Sequence, residues 1–462
     1  MVVDGWLARA AASRPEHIAL DTPAGSWSYA RLHAAARSGA CELAAGGAGP
    51  GARVAIALPS GLHFAQALHA CLLLGAIAVP VDLRLAPEER ERIAAGSEML
   101  VDRPLAKGSG RPSAWGRGGL PPSAVGRGHD LDAVAVVIHT SGTTSVPRPV
   151  ELTYANLLWS ALGSAVALGL PREERWLCAL PLSHVGGLSI LLRSAIYSTT
   201  AVVHERFEAD RALHSLQHER VTLVSLVATT LARLLDAGLS HPPALRCALT
   251  GGGPVPAALV ARAQAAGVPV SLTYGLTESC SQVTTTPLAD LDPAAETTAA
   301  GGATIGSPHA GPPLFCTRVL IGEDEEILVR GPTVAPSAPG PDGWLHTGDL
   351  GSLDAGGRLQ VTGRKADTIV SGGENVAPAE VEAVLEAHPL VLEAAVLGRP
   401  DPEWGEAVVA IVVPREGAEL KAADLRAHCA SMLARFKVPK EFLITTEPLP
   451  RTRSGKLLRR EL

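Results

Sequence analysis

A chain of 462 residues is longer than one hydrophobic core ordinarily serves, so two or three domains are expected. With 47% hydrophobic and 19% charged residues it reads as a soluble globular protein, and a formal charge of −6 argues against nucleic acid, whose phosphates call for a clustered cationic excess. Seven cysteines, an odd count without a CxxC pair, indicate reduced thiols in a cytoplasmic setting rather than a disulfide frame or a zinc site.

In chain order, "MVVDGWLARAAASRPEHIAL" lacks the basic and apolar segments of a signal peptide. "ARVAIAL" predicts a strand, 62–75 a helix, "AIAVPVD" a strand and "AVAVVIH" another. That alternation predicts an α/β fold with parallel strands joined by crossover helices. Residues 62–81 are apolar enough to test for a membrane span, but His63, Gln66, His69 and Pro80 interrupt them, which favours a buried helix leading into a buried strand. Residues 103–129 are rich in Gly, Pro, Ser and Arg, hold no acidic residue, and nearly repeat themselves in "PSAWGRG" and "PSAVGRG". So little apolar content predicts a flexible surface insert, with an anion-binding arm as the lesser reading.

Near residue 364 the pattern changes. "PAEVEAVLEAHP" predicts a helix with Val381, Val384 and Leu385 inward and Glu380, Glu382 and Glu386 outward. The strands "EAAVLG" and "EAVVAIVV" follow, then an amphipathic helix with Leu425, Cys429, Met432, Leu433 and Phe436 on one stripe. This content predicts a separate small α+β domain.

The stretch "HTSGTTSVPRPVEL" at 139–152 carries the first chemical signal. It is no Walker loop, because no Gly-Lys-Ser/Thr follows and Pro147 and Pro149 forbid an immediate helix. Its Ser141, Thr143, Thr144 and Ser145 offer hydroxyls, Gly142 close backbone approach, and Arg148 a permanent cation. Read alone, it fits a phosphate cradle and an ordinary polar turn equally well.

Further stretches follow in a telling order: "LTYGLTES" at 272–279, "WLHTGDLG" at 344–351, "GRKADTIVSGGENVAPAEVE" at 363–382 and "PRTRSGKLLRREL" at 450–462. With 139–152 they resemble the phosphate, adenine and magnesium, ribose, hinge and pantetheine, and terminal-lysine motifs of the adenylate-forming superfamily. That superfamily includes acyl- and aryl-CoA ligases, peptide-synthetase adenylation domains and luciferases. The resemblance spans essentially the whole chain. It implies a large N-terminal domain of stacked mixed β-sheets with helices, residues 1–363, and a mobile C-terminal lid, residues 364–462. It also implies ATP, Mg2+ and coenzyme A, with a carboxylic acid activated as its acyl-AMP and passed to a thiol. Thr140, Ser141, Gly142, Thr143, Thr144 and Arg148 would hold phosphate. Gly251, Gly252, Gly253, Tyr274, Gly275 and Thr277 would line the adenine. Asp349 would take the ribose and Arg364 the ribose or phosphate, and Glu278 with Thr144 the magnesium. Lys456 would swing in to stabilise charge at the carboxylate and α-phosphate. Ser371, Gly372 and Gly373 would meet the pantetheine arm after rotation about a pivot near Ala366. Without the motif context, Tyr274 reads as a core tyrosine, Glu278 as a solvated glutamate, Asp349 as a turn residue, and Arg364 and Lys456 as surface cations.

"LPLSHVGGLSILLRSAIY" at 180–197, "LTGGGPVP" and "TESCSQV" are most similar to the o-succinylbenzoate–CoA ligases of menaquinone biosynthesis. His184 would then line the acyl and thiol path. Arg193, in an otherwise apolar run, would hold the substrate's second carboxylate; the alternative is an arginine reaching water from a helix edge. The implied partners are small molecules, with no nucleic acid or membrane span, and a homodimer is admissible. Ser145 and Arg148 depart from the Gly and Lys usual in the family's phosphate loop, and nothing in the family matches 103–129. A non-enzymatic relative and an enzyme loading a carrier protein therefore stay open as alternatives.

Overall fold

The computed structural model describes residues 1–106, 128–140, 148–291, 308–371, 374–402, 404–451 and 457–462. Two sheets share one core. In the first, strands Met99–Val101, Arg53–Ile56, Ile77–Pro80 and Val134–Thr140 run parallel, and Arg148–Thr153 closes the edge antiparallel to Val134–Thr140. The second has eight strands. Its parallel centre, Val270–Leu276, Cys247–Thr250, Leu223–Leu226, Arg175–Cys178, Thr200–Val203 and Ile18–Thr22, is capped at both edges by antiparallel strands, Ser281–Thr285 and Gly25–Ser28.

Helices Tyr29–Ala45, Leu62–Leu74, Tyr154–Leu168 and Val185–Tyr197 supply the apolar filling shared by both sheets. Strands in such a position are buried on both faces, which is why they read as continuous apolar runs. Helix Leu62–Leu74 buries 11 of its 13 residues, and no helix among the described residues is long and apolar enough to cross a membrane.

A four-stranded antiparallel sheet follows: Arg318–Ile321, Glu326–Arg330, Leu345–Leu353 and Leu359–Arg364. A last sheet pairs Val391–Asp401 with Gly405–Pro414, flanked by Ile369–Ser371, Glu374–Val376 and Glu441–Ile444, with helices Pro378–Glu386 and Ala422–Met432 on its core.

Three expectations need correction. The ends of the 103–129 segment are anchored: Leu105 is buried, the carbonyl of Ala106 accepts from Gln66 Nε2 at 3.0 Å, and the buried His129 accepts from the Trp6 amide at 3.2 Å. Residues 107–127 lie outside the described residues. Glu382 and Glu386 do not face water. Both are partly buried, Glu382 gripped by Arg459 of the chain's own tail, and Glu380 pairs with Lys437 at 2.7 Å. Met432 leaves the core stripe because the helix stops there and Leu433 turns extended, leaving Met432 37% exposed.

Candidate active site

Sheet edges bring the predicted residues together from distant segments. Thr140 and Arg148 face each other at the ends of two antiparallel strands, with Thr140 Oγ1 donating to the Arg148 carbonyl at 3.4 Å. They close the base of the 141–147 connection. Ser141, Gly142, Thr143 and Thr144 lie outside the described residues. Gly251, Gly252 and Gly253 follow the C-terminal end of strand Cys247–Thr250, the side on which open parallel sheets gather ligands.

The neighbouring strand carries Tyr274 and Gly275, then breaks into the turn Thr277–Ser279. Only glycine suits position 275: a Cβ there would lie 1.6 Å from the Ser281 carbonyl oxygen across the bulge. The half-buried carboxylate of Glu278 takes no hydrogen-bond or ion-pair partner among the described residues, while its backbone carbonyl is fixed by the Ala335 amide at 2.8 Å. A hard oxygen donor without a partner among the described residues fits Mg2+, which commonly takes one or two protein carboxylates and leaves the rest of its shell to substrate and water.

Asp349 is the best-defined member. The hairpin register sets it opposite Arg364, whose Nε donates to Oδ1 at 2.8 Å, while the Tyr274 hydroxyl donates to Oδ2 at 2.8 Å. Asp349 is 7% exposed. Burial first, and the adjoining Asp349 carboxylate second, push the Tyr274 phenol above its ordinary range, so it stays a donor. Gly348 at φ +70° turns the chain, and its amide donates to the buried Glu326 at 2.9 Å. Glu326 also meets Lys365 Nζ at 3.4 Å, so the carboxylate behind the Gly348 turn touches the first residue after Arg364.

His184 caps helix Val185–Tyr197, and its Nε2 lies 3.0 Å from Arg84 Nη2. The same Nε2 lies 3.5 Å from Asp82 Oδ2, so the imidazole sits beside an arginine–aspartate pair. Asp82, which grips Arg84 at 2.6 and 2.8 Å, is pulled up by burial but held below the usual carboxylate range by those bonds. Sequence reasoning missed Asp82 and Arg84. An acid-x-base pair directly past a parallel strand, "VPVDLR", was the available signal.

Arg193 does not reach water; it is 2% exposed. Its two Nη groups donate to Gln282 Oε1 at 2.7 Å and Ser160 Oγ at 2.9 Å, and the guanidinium lies 5.7 Å from the Trp176 ring centre. All three are neutral. Among the described residues no carboxylate pairs with it, and burial chiefly drives its pKa down. Ser371 is buried at the end of strand Ile369–Ser371 with no partner for its hydroxyl among the described residues. Gly372, Gly373 and Lys456 lie outside the described residues.

Comparison with known proteins matches the model of the AMP-binding enzyme family over residues 7–337, and that of the AMP-binding enzyme C-terminal domain over 380–456. A 2-succinylbenzoate–CoA ligase of Bacillus subtilis (strain 168) is 38% identical, across 99% of this chain and 97% of the relative. The solved structure of o-succinylbenzoate CoA synthetase (MenE) from B. subtilis with its acyl-adenylate intermediate OSB-AMP is similar at a TM-score of 0.85 and 35% identity, across 100% of this chain and 98% of that one. The same enzyme in complex with ATP and magnesium ion gives 0.85 and 35%, across 100% of each chain.

Proposed function

This chain belongs to the AMP-binding enzyme family, and we propose that it ligates o-succinylbenzoate to coenzyme A, through o-succinylbenzoyl-AMP, in menaquinone biosynthesis. The substrate rests on one observation above all: Arg193 is a buried cation without an anionic partner among the described residues, and this acid brings a second carboxylate. The relationship to 2-succinylbenzoate–CoA ligases supports the same choice.

In the first half-reaction a carboxylate oxygen of the acid attacks the α-phosphorus of ATP, and the bond to pyrophosphate breaks. Thr140, Arg148 and the residues between them hold the phosphates; Tyr274 and Gly251 to Gly253 frame the adenine. Asp349 orients the ribose hydroxyls, with Arg364 and the Tyr274 hydroxyl fixing the carboxylate in turn. Magnesium, held by Glu278 and Thr144, supplies charge neutralisation on the phosphates when bound. Lys456 stabilises charge developing between carboxylate and phosphorus. In the second half-reaction the thiol sulfur attacks the acyl carbon, AMP leaves and the thiol proton is released. His184 lines that path, and Ser371 to Gly373 guide the pantetheine arm. The lid begins near Arg364 and pivots near Ala366, giving domains 1–363 and 364–462. The enzyme works in the cytoplasm, and a homodimer is the assembly we favour, checked by sedimentation.

The test is pyrophosphate release across aryl, fatty and amino acids, with and without coenzyme A. o-Succinylbenzoate should release pyrophosphate and consume coenzyme A. Release with fatty or amino acids but none with o-succinylbenzoate refutes the assignment. Arg193→Ala should cut turnover of o-succinylbenzoate far more than that of an analogue lacking the ring carboxylate; equal losses remove Arg193 from recognition.

A further inference from the structure

Residues 457–462 are held by contacts to segments far upstream. Leu457 bridges Arg451 antiparallel, and the Leu458 amide donates to the Pro450 carbonyl at 2.8 Å. Leu457 and Leu462 pack against Ala395, Ile411, Val413 and Leu449 on the outer face of the lid sheet. Arg459 then reaches inward. Its Nη2 donates to both oxygens of Glu382, at 2.6 and 2.8 Å, and its Nη1 to Asp367 Oδ2 at 3.1 Å. Glu382 is 13% exposed and also accepts from the Val396 amide at 2.8 Å.

These partners are mechanically telling. Glu382 belongs to helix Pro378–Glu386, Val396 to strand Val391–Asp401, and Asp367 closes the turn Lys365–Asp367 beside the pivot. One guanidinium therefore joins the tail to the helix, the sheet and the first turn past the pivot. A chain end of this length frays unless it is tied down. A rotation at Ala366 places a side chain near the C-terminus reproducibly only if everything between moves as one body. A planar fork with five donors can bridge two carboxylates, which a single ammonium does poorly.

We propose that Arg459 is a positioning residue for the adenylation half-reaction: by clamping Glu382 and Asp367 it ties residues 457–462, which directly follow Lys456, to the turn that holds the pivot. This rests on the assignment of Lys456 above. Misplacement of a reacting group by about 1 Å costs on the order of 10²-fold in rate. The thiol-transfer half-reaction uses another face of the lid and needs no such placement.

The experiment measures the half-reactions separately in the full-length enzyme: acyl-AMP formation from ATP and o-succinylbenzoate, and thioester formation from supplied o-succinylbenzoyl-AMP and coenzyme A. Arg459→Ala should slow the first by about 10- to 100-fold and leave the second within about twofold. Arg459→Lys should restore part of the first, and Glu382→Gln should slow it less than Arg459→Ala. Equal slowing of both half-reactions, as a loosened lid would give, overturns the proposal, as does normal acyl-AMP formation in Arg459→Ala. Lys456→Ala runs beside them. If it forms acyl-AMP normally, the lysine assignment fails; if it is crippled while Arg459→Ala is not, only the clamp fails.

Discussion

The Leu345–Arg364 hairpin and the C-terminal tail each hold a carboxylate gripped by an arginine, but they are assembled differently. Asp349 and Arg364 are 15 residues apart on one hairpin, and the strand register alone sets them face to face. Glu382 and Arg459 are 77 residues apart, and only side chains bring them together. Backbone pairing makes the first grip a property of the fold, present before any ligand arrives. The second is a tie between separately folded pieces, and its value depends on what the tied piece carries.

The comparison can be broken or sharpened by substitution. Lys456→Ala should have the largest effect, lowering acyl-AMP formation by on the order of 10²- to 10³-fold in single-turnover assays, as for loss of a donor at developing charge. Asp349→Ala should come next, costing about 10- to 100-fold in kcat/KM for ATP and leaving the exposed Arg364 without its counter-ion. Tyr274→Phe keeps the ring and removes one hydrogen bond, so ATP binding should weaken by about 1 kcal/mol, a few-fold in Kd by calorimetry. An Asp349→Ala enzyme with unchanged kinetics would show that the hairpin grip is merely structural.

Glu386→Gln should have the smallest effect, on stability and not on chemistry. Burial first, and the nearby Glu382 second, push the Glu386 carboxyl up to about 7. The folded state therefore binds its proton more tightly than the unfolded chain, whose glutamates titrate at about 4.3. The favourable contribution is complete below the unfolded value and fades as pH rises through 7. Glutamine imitates the protonated form, so the variant should melt higher than the parent at pH 8, and the gain should vanish by pH 4. A pH-independent difference between the two melts would refute the burial argument.

Much of this was legible in the residues. Strands such as Arg53–Ile56 and Val134–Thr140 announce themselves as uninterrupted apolar runs because both faces are covered. Asp349 and Tyr274 stood in recognisable motifs, though nothing in either motif says that they bond to each other. Periodicity found the buried face of helix Pro378–Glu386, but it assigns the opposite face to water by default. It cannot foresee a returning tail, and so Glu382 was misplaced. Arg459 was invisible for the same reason: its partners lie 77 and 92 residues upstream. Asp82 and Arg84 escaped because their relation to His184 spans two different sheets.

Arg193 has a consequence for selectivity. A guanidinium enclosed by a glutamine, a serine and an indole carries a positive potential that no carboxylate among the described residues answers. The empty enzyme bears that as a penalty, and an acid with a second negative group would relieve it. Near-copies that fill the same space with one charge fewer would be turned away by the imbalance they leave behind, not by their shape.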